Sequence, residues 1–343
     1  MTGVDSLNPF WKDEVLVSLR WEHYPLIEQQ HYGRAWMIIQ NHLGLAENTL
    51  DAYGRALQDY FVFCQQHEID SSTARRDHIA LYVHDLRLRP NHGAGGLSNA
   101  TIQQRITVLR LFYNYLCEEG LRHDHPVSHK GIRGLVPRQY SLPWIPSDEQ
   151  WLHLLDVVRL ESLRNRTMFA LAYDAALRRE ELCALETGDI DPSRRLLYIR
   201  AETTKNRLAR VVPYSAATSN LYSNYLDYRR QMSRARGGLF LSESERNFAH
   251  PITIWTWSKV VRDIAQVAGL EQFTTHTLRH LCLTDLARAN WDIHDIATFA
   301  GHRSLQSTLH YIHLSGHDLA AKLEQSMSSI HAWRTTTLTE VLL

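Results

Sequence analysis

One aperiodic stretch divides the chain and limits what it can fold into. Between Gly120 and Ser147 the segment LRHDHPVSHKGIRGLVPRQYSLPWIP holds four prolines and two glycines and follows neither a helical nor a strand period. Residues 121–146 therefore read as a linker between two domains with separate cores. On the N-terminal side the apolar pattern is helical. From Asn48 to His67, Leu50, Tyr53, Leu57, Tyr60, Phe61 and Cys64 recur mostly at steps of three and four behind an Asn or Thr cap. A second helix is predicted over Arg76–Leu88, ended by Pro90 and NHGAGG, and a third over Thr101–Glu119, closed by Gly120. Residues 31–120 thus read as a small helical domain. Residues 1–30, with Pro9, Pro25 and scattered aromatics, read as an extension with room for one short helix.

Beyond the linker the second domain, residues 147–343, opens with SDEQ, a capping stretch for a helix over Glu149–Leu160. Helices continue over Asn165–Ala175 and Arg179–Leu185. The period then changes: Arg195–Arg200 and Arg207–Pro213 are short branched and basic runs around the polar turn AETTKN, which predicts a small antiparallel hairpin. Helical patterns return over Ala216–Met232, Ile252–Val267, Thr277–Ala289, Ile293–Ala300 and Ser307–Ile312. A further amphipathic stretch in the tail carries Leu319, Leu323, Met327 and Ile330. The fold class expected is mainly α, with a small antiparallel β-sheet in the second domain.

Composition narrows the chemistry. Lys plus Arg and Asp plus Glu are both 37, so the chain is not basic as a whole and any contact with nucleic acid must rest on a focused face. No run approaches the ~18 apolar residues of a membrane span. The first 30 residues hold acids and tryptophans where a secretory leader has an apolar core, so a cytoplasmic protein is expected. Cys64, Cys117, Cys183 and Cys282 are far apart and read as free thiols. His31, His78, His123, His125 and His129 have no metal-ligand spacing, and no carboxylates cluster as two-metal chemistry requires, so no metal or other cofactor is expected.

Four short pieces of the second domain go further: AALRREEL around Arg178, TTKNRLARVVP around Lys205, HTLRH at His276–His280, and AGHRSLQSTLHYIHL with His302 and Tyr311. Each alone is commonplace. A lone helical arginine is usually a surface or salt-bridged group, and Tyr311 is one of 15 tyrosines. In this order and at these spacings the set resembles the tyrosine recombinase, or phage integrase, family. The resemblance implies catalytic roles for Arg178, Lys205, His276, Arg279, His302 and Tyr311, the last as nucleophile, with Glu181 and His280 in support. Lys205 is fixed by counting back from Pro213, with Arg207 and Arg210 close by. Ala176 stands where the family has glycine, Glu180 where it has serine, and Ala300 where it has leucine. The match is firm over about residues 145–320, and the helical region of about 45–120 looks like the family's core-binding domain.

These residue types suit metal-free phosphodiester cleavage, which needs a positive cradle, a nucleophile and a proton donor for the leaving oxygen. Two arginines can grip the phosphate bidentately. Glu181 lies about one helical turn from Arg178 and can hold its guanidinium, and His276 and Arg279 share a helix face. A hairpin lysine can protonate the departing 5′ oxygen, His276 can move a proton near Tyr311, and His302 can donate to an oxyanion or position a neighbour. A phosphotyrosine conserves the bond energy, so rejoining needs no ATP.

The resemblance further implies double-stranded DNA as partner, two domains clamping the duplex, a tetramer on two DNA sites, and a tail helix exchanged between protomers or packed in cis. Arg105 and Arg110 on the third predicted helix, and Arg207 and Arg210 on the hairpin, are candidates for DNA contact, a solvated face being the alternative. Integration, excision or transposition of a mobile element is the role expected. An Xer-like dimer resolvase and a catalytically silent architectural protein are the alternatives.

Overall fold

Several helix starts fall where Ser98, Ser147, Ser162, Ser215, Thr253 or Asp292 supplies a side-chain oxygen for the first free amides. In the computed structural model, which describes residues 19–90, 96–127, 143–204 and 206–314 (without side chains at 310 and 312–314), the chain forms two compact units, 1–140 and 141–343. The first contains α1 (Pro25–Gln29), α2 (His31–His42), α3 (Glu47–Gln66), α4 (Arg76–Leu88) and α5 (Asn99–Glu118). Ser98 Oγ accepts from the Thr101 amide at 3.2 Å to start α5, and Gly120, at a φ of 68°, lets the chain leave it.

The core of this unit is aromatic, built on Trp36, Tyr60, Phe61, Tyr82, Phe112 and Tyr113. Its buried hydroxyls are satisfied: Tyr60 and Tyr113 lie 2.7 Å apart, and Tyr113 donates to the Ser71 carbonyl at 2.8 Å. Leu19, Tyr24 and Ile27 are buried in the same core, so residues 19–30 are built into the unit and are not an extension outside it. The helix α2 is also beyond the sequence reading, because its buried face holds only Gly33, Trp36 and Met37. Glycine is needed there for close packing: a β-carbon at Gly33 would lie 2.7 Å from the Phe61 ring. The first part of the presumed linker packs here too, through Val127 and through Arg122, which donates to the Ser72 and Ala74 carbonyls at 3.0 Å.

The second unit contains α6 (Asp148–Val158), α7 (Leu163–Asp174), α8 (Arg179–Cys183), β1 (Ile190–Asp191), β2 (Leu196–Ile199), β3 (Arg210–Pro213), α9 (Ala216–Met232), α10 (Ile254–Val267), α11 (Thr275–Arg288), α12 (Ile293–Ala300) and α13 (Gln306–Leu314). Ser147 and Gln150 form the reciprocal cap that opens α6, at 3.2 and 2.9 Å. The sheet is antiparallel in the order β1-β2-β3, with Leu197 opposite Val212 and Ile199 opposite Arg210. Leu197, Ile199 and Val212 face the core, while Tyr198 and Val211 face out. The two-residue β1 is too short to leave an alternating signature. The chain is thus mainly α with a small antiparallel sheet, as its patterning predicts.

α11 is the central helix of this unit. It packs against α7, α12 and α13, and Leu278, Arg279, Leu281, Cys282, Leu283 and Thr284 are all buried. A helix enclosed in this way fixes the side chains it offers at its N-terminal end. The presumed tail helix around Leu319–Ile330 lies outside the described residues.

Candidate active site

α8 begins at a sharp bend. Ala176 is left-handed, at a φ of 46°, and Arg178 is extended at the N-cap position. The Arg178 amide donates to Glu181 Oε2 at 2.9 Å and its Nη1 to Glu181 Oε1 at 2.8 Å, so one carboxylate both caps the helix and holds the guanidinium. Arg178 Nη2 reaches the Gly301 carbonyl at 3.3 Å. The buried Glu181 also receives both terminal nitrogens of Arg210, at 2.9 and 2.7 Å, and Arg210 Nε donates to the Phe299 carbonyl at 3.1 Å. Burial pushes the Glu181 carboxyl up, but the bonds and charges of Arg210 and Arg178 outweigh it and hold it down at about 2. β3, α8 and the turn after α12 are thereby joined through one anion.

α11 contributes the other half. Arg279 is buried; its Nη1 donates to the Ala176 carbonyl and its Nη2 to the Ala300 carbonyl, both at 2.5 Å, and Nη2 stands 3.0 Å from His302 Nε2. His302 Nδ1 lies 2.9 Å from the hydroxyl of the buried Thr308. Because guanidinium nitrogens only donate, His302 Nε2 must accept, which leaves the ring proton on Nδ1 for Thr308. Burial first, and then the charges of Arg279, Arg178 and Arg210, lower His302 to about 3, so the ring is neutral. The Tyr311 ring stacks on it, with centroids 6.0 Å apart and planes within 10°. Tyr311 Oη is 2.9 Å from His280 Nδ1, and His280 is itself lowered to about 4, by burial and then by His276 and Arg279. A neutral His280 has one donor and one acceptor nitrogen, and the tautomer with its proton on Nε2 accepts from the phenol at Nδ1. Burial raises Tyr311 against the pull of Arg279 and Arg178.

His276 stands one turn before His280 on α11, with ring centroids 6.3 Å apart, and its imidazole is exposed. The sequence reading set His276 beside the Tyr311 hydroxyl; in the structure the partner of that hydroxyl is His280. The electrostatic balance is one-sided. Arg178 and Arg210 converge on the single carboxylate of Glu181, Arg279 has no carboxylate partner of its own among the described residues and is held by the Ala176 and Ala300 carbonyls, and burial and then Arg178 lower even Arg279 to about 10. Such a site is complementary to an anion.

Comparison with known proteins gives the family. Residues 147–317 match the model of the phage integrase family, and residues 38–122 match that of the phage integrase N-terminal SAM-like domain. The chain belongs to the phage integrase family. These are the tyrosine recombinases, which cleave and rejoin DNA. A tyrosine recombinase of Thermosipho africanus is 27% identical over 79% of this chain and 90% of its own length. A protein of Caulobacter vibrioides named tyrosine recombinase XerD is 29% identical over 80% and 88%. Among solved structures, the Tn1549 transposon integrase in complex with transposon right end DNA superposes with a TM-score of 0.68 at 14% identity, covering 87% of this chain and 98% of that one. XerH site-specific recombinase bound to palindromic difH substrate gives 0.68 at 18% identity, covering 89% and 87%. These two carry the fold alone.

Set against this phage integrase fold, the basic residues offered for DNA contact separate. Arg210 is withdrawn from that role, because its guanidinium is spent on Glu181 and Phe299 and its side chain is only 7% exposed. Arg105 is ion-paired with Asp59, which also binds Tyr82 and Arg89, so it braces the first unit. Arg110 is partly buried with Nε enclosed. Arg207 remains exposed, in a left-handed conformation at a φ of 52° in the β2–β3 turn. Lys205 lies outside the described residues. The hairpin is tied to the site through Asn206, whose Nδ2 donates to the Gly301 carbonyl at 3.2 Å and whose own carbonyl accepts from Arg303 at 2.7 Å. Thr308 and the carbonyls of Ala176, Phe299, Ala300 and Gly301 were missed by the sequence reading. Of these only Gly301 had a signal, as the glycine before His302. Among the described residues there is no group of histidine, cysteine and carboxylate side chains able to hold a metal, and no helix long and apolar enough to cross a membrane.

Proposed function

We propose that this phage integrase cleaves duplex DNA at Tyr311, forming a 3′-phosphotyrosine and releasing a 5′ hydroxyl. The observation that carries the reading is the excess of positive charge where Arg178 and Arg210 share Glu181 while Arg279 bonds His302, on which the Tyr311 ring stacks. Arg178 and Arg279 bind the non-bridging oxygens and strengthen their hold as the pentavalent state forms. Tyr311 gives its proton to His280, its hydrogen-bond partner, and its oxygen attacks phosphorus as the bond to the 5′ oxygen breaks. Lys205 protonates that leaving oxygen. His276, exposed at the start of α11, adds a donor to the phosphate and takes part in proton transfer. His302 positions Arg279 and Tyr311. Attack by a partner strand's 5′ hydroxyl reverses the chemistry and joins the new strands.

Strand exchange within a tetramer on two DNA sites serves integration, excision or transposition of a mobile element. Dimer resolution of the Xer type is the second reading, favoured by relatives that carry the XerC and XerD names. The test is covalent adduct formation on nicked duplexes drawn from the DNA flanking the gene, resolved on denaturing gels. Wild type should give an adduct and Tyr311→Phe none. DNA binding without an adduct in wild type would leave the architectural reading in its place.

A further inference from the structure

Among the described residues of the second unit Trp255 is the most exposed tryptophan, at 74%, although it stands one residue into an otherwise well-packed helix. The opposite face of α10 buries Trp257, Val261, Ile264 and Ala265, so exposure of Trp255 is not a packing failure. Its neighbour is Arg179, whose guanidinium carbon lies 5.8 Å from the indole centroid, within cation–π range. Arg179 is fixed in turn: Nη1 donates to Ser258 Oγ at 3.0 Å, and Nε and Nη2 donate to Glu180 Oε1 at 3.1 and 2.7 Å. The ring is thus held in place while its outer face meets solvent.

Position gives this a purpose. Arg179 follows Arg178 directly, so the two guanidiniums leave the start of α8 in different directions, one toward Glu181 and Gly301 and the other toward α10. Along the exposed face of α10, Lys259, Arg262 and Gln266 follow Trp255 at helical spacing. Lys259 is paired with Asp263 at 2.7 Å and Arg179 with Glu180, yet cations and an amide dominate the stripe. A rigid aromatic face at the head of such a stripe has the composition of a nucleic-acid stacking surface.

We propose that Trp255, steadied by Arg179, is a stacking platform for a nucleobase flanking the phosphate held at Arg178. This rests on the reading of Arg178 as a phosphate ligand. The base is one that leaves the stack when the duplex binds, and the energy gained on the indole offsets that unstacking and holds the strand in place beside Arg178.

The test uses the full chain and a duplex selected for binding from a random pool, in intact form and with single abasic sites scanned along each strand. Trp255→Ala should weaken binding about tenfold, the size of one base–aromatic stack, and Trp255→Phe should keep most of it. At one or two abasic positions wild type should fall to the affinity of Trp255→Ala, and the difference between them should vanish. Equal affinity of wild type and Trp255→Ala on the intact duplex overturns the proposal. So does a difference that persists at every abasic position, since the contact is then to backbone or to another copy of the chain. The covalent reading is scored separately on the same duplexes. A wild type that forms no adduct yet shows the abasic signature removes that reading and leaves the stack, whereas an adduct with no Trp255 effect does the reverse.

Discussion

At Gly301 the backbone is left-handed, with a φ of 64°, and a β-carbon there would lie 3.1 Å from Arg210 Nη1. Its carbonyl accepts from Arg178 and Asn206, so the turn supports Arg178 and the hairpin together. Gly301→Ala should cost about 1–2 kcal/mol from the backbone alone and displace Arg210, lowering the thermal midpoint and the adduct yield together; an unchanged midpoint would refute the close approach. Ala176 is the counterpart. It keeps a left-handed φ of 46° with a β-carbon, a conformation the family's glycine adopts without strain. The histidines make a second prediction. His280 and His302 hold protons less readily in the folded chain than at the ordinary value of 6.5. As pH falls the unfolded chain therefore takes up protons first, and stability declines from about pH 6.5 toward about 4 for His280 and about 3 for His302. Urea midpoints at pH 7 and pH 5 should show that loss, and His302→Asn should lessen it.

Among the elements, α8 and β3 share Glu181, and the two arginines it holds, Arg178 and Arg210, reach the Gly301 and Phe299 carbonyls at the end of α12. Glu181→Gln leaves Arg178 and Arg210 buried around a neutral amide, and it should cost about 3–5 kcal/mol, as breaking a buried ion pair does. It should also remove the stability that wild type loses as pH falls from 4.5 toward 2, where Glu181 takes its proton. Chemical denaturation of the two proteins across that range reads both effects, and parallel pH profiles would show that the carboxylate is not what joins the elements. At this scale sequence and structure part company for definite reasons. The helices α4, α6 and α9 could be read because apolar spacing, the Pro90 stop after α4 and the serine caps of α6 and α9 are side-chain properties. The family resemblance carried by AALRREEL, HTLRH and AGHRS implied one site for Arg178, Arg279 and His302, and hydrogen bonds join them there through Gly301, Ala176 and Ala300. Those backbone acceptors have no residue identity to read. A basic hairpin residue also looks the same whether it faces DNA or a buried carboxylate, which is why Arg210 was expected outside.

The whole chain has no net charge and two separate cores, the first aromatic and the second centred on α11. Binding to DNA then depends on where cations are displayed, and the salt dependence of binding counts them. Each phosphate neutralised lowers the slope of log K against log salt by about 0.9. If both units grip the duplex, residues 1–140 and residues 141–343 expressed apart should each fold, each bind weakly, and show slopes that add up to that of the intact chain. The intact chain should bind far more tightly than either part, because the first unit to land raises the effective concentration of the second. Circular dichroism melts of the fragments check the first point and titrations at several salt concentrations the second. An intact chain whose slope equals that of residues 141–343 alone would mean that the first unit makes no phosphate contact. In that case the ion-paired Arg105 and the enclosed Arg110 act as braces of its core and not as DNA contacts.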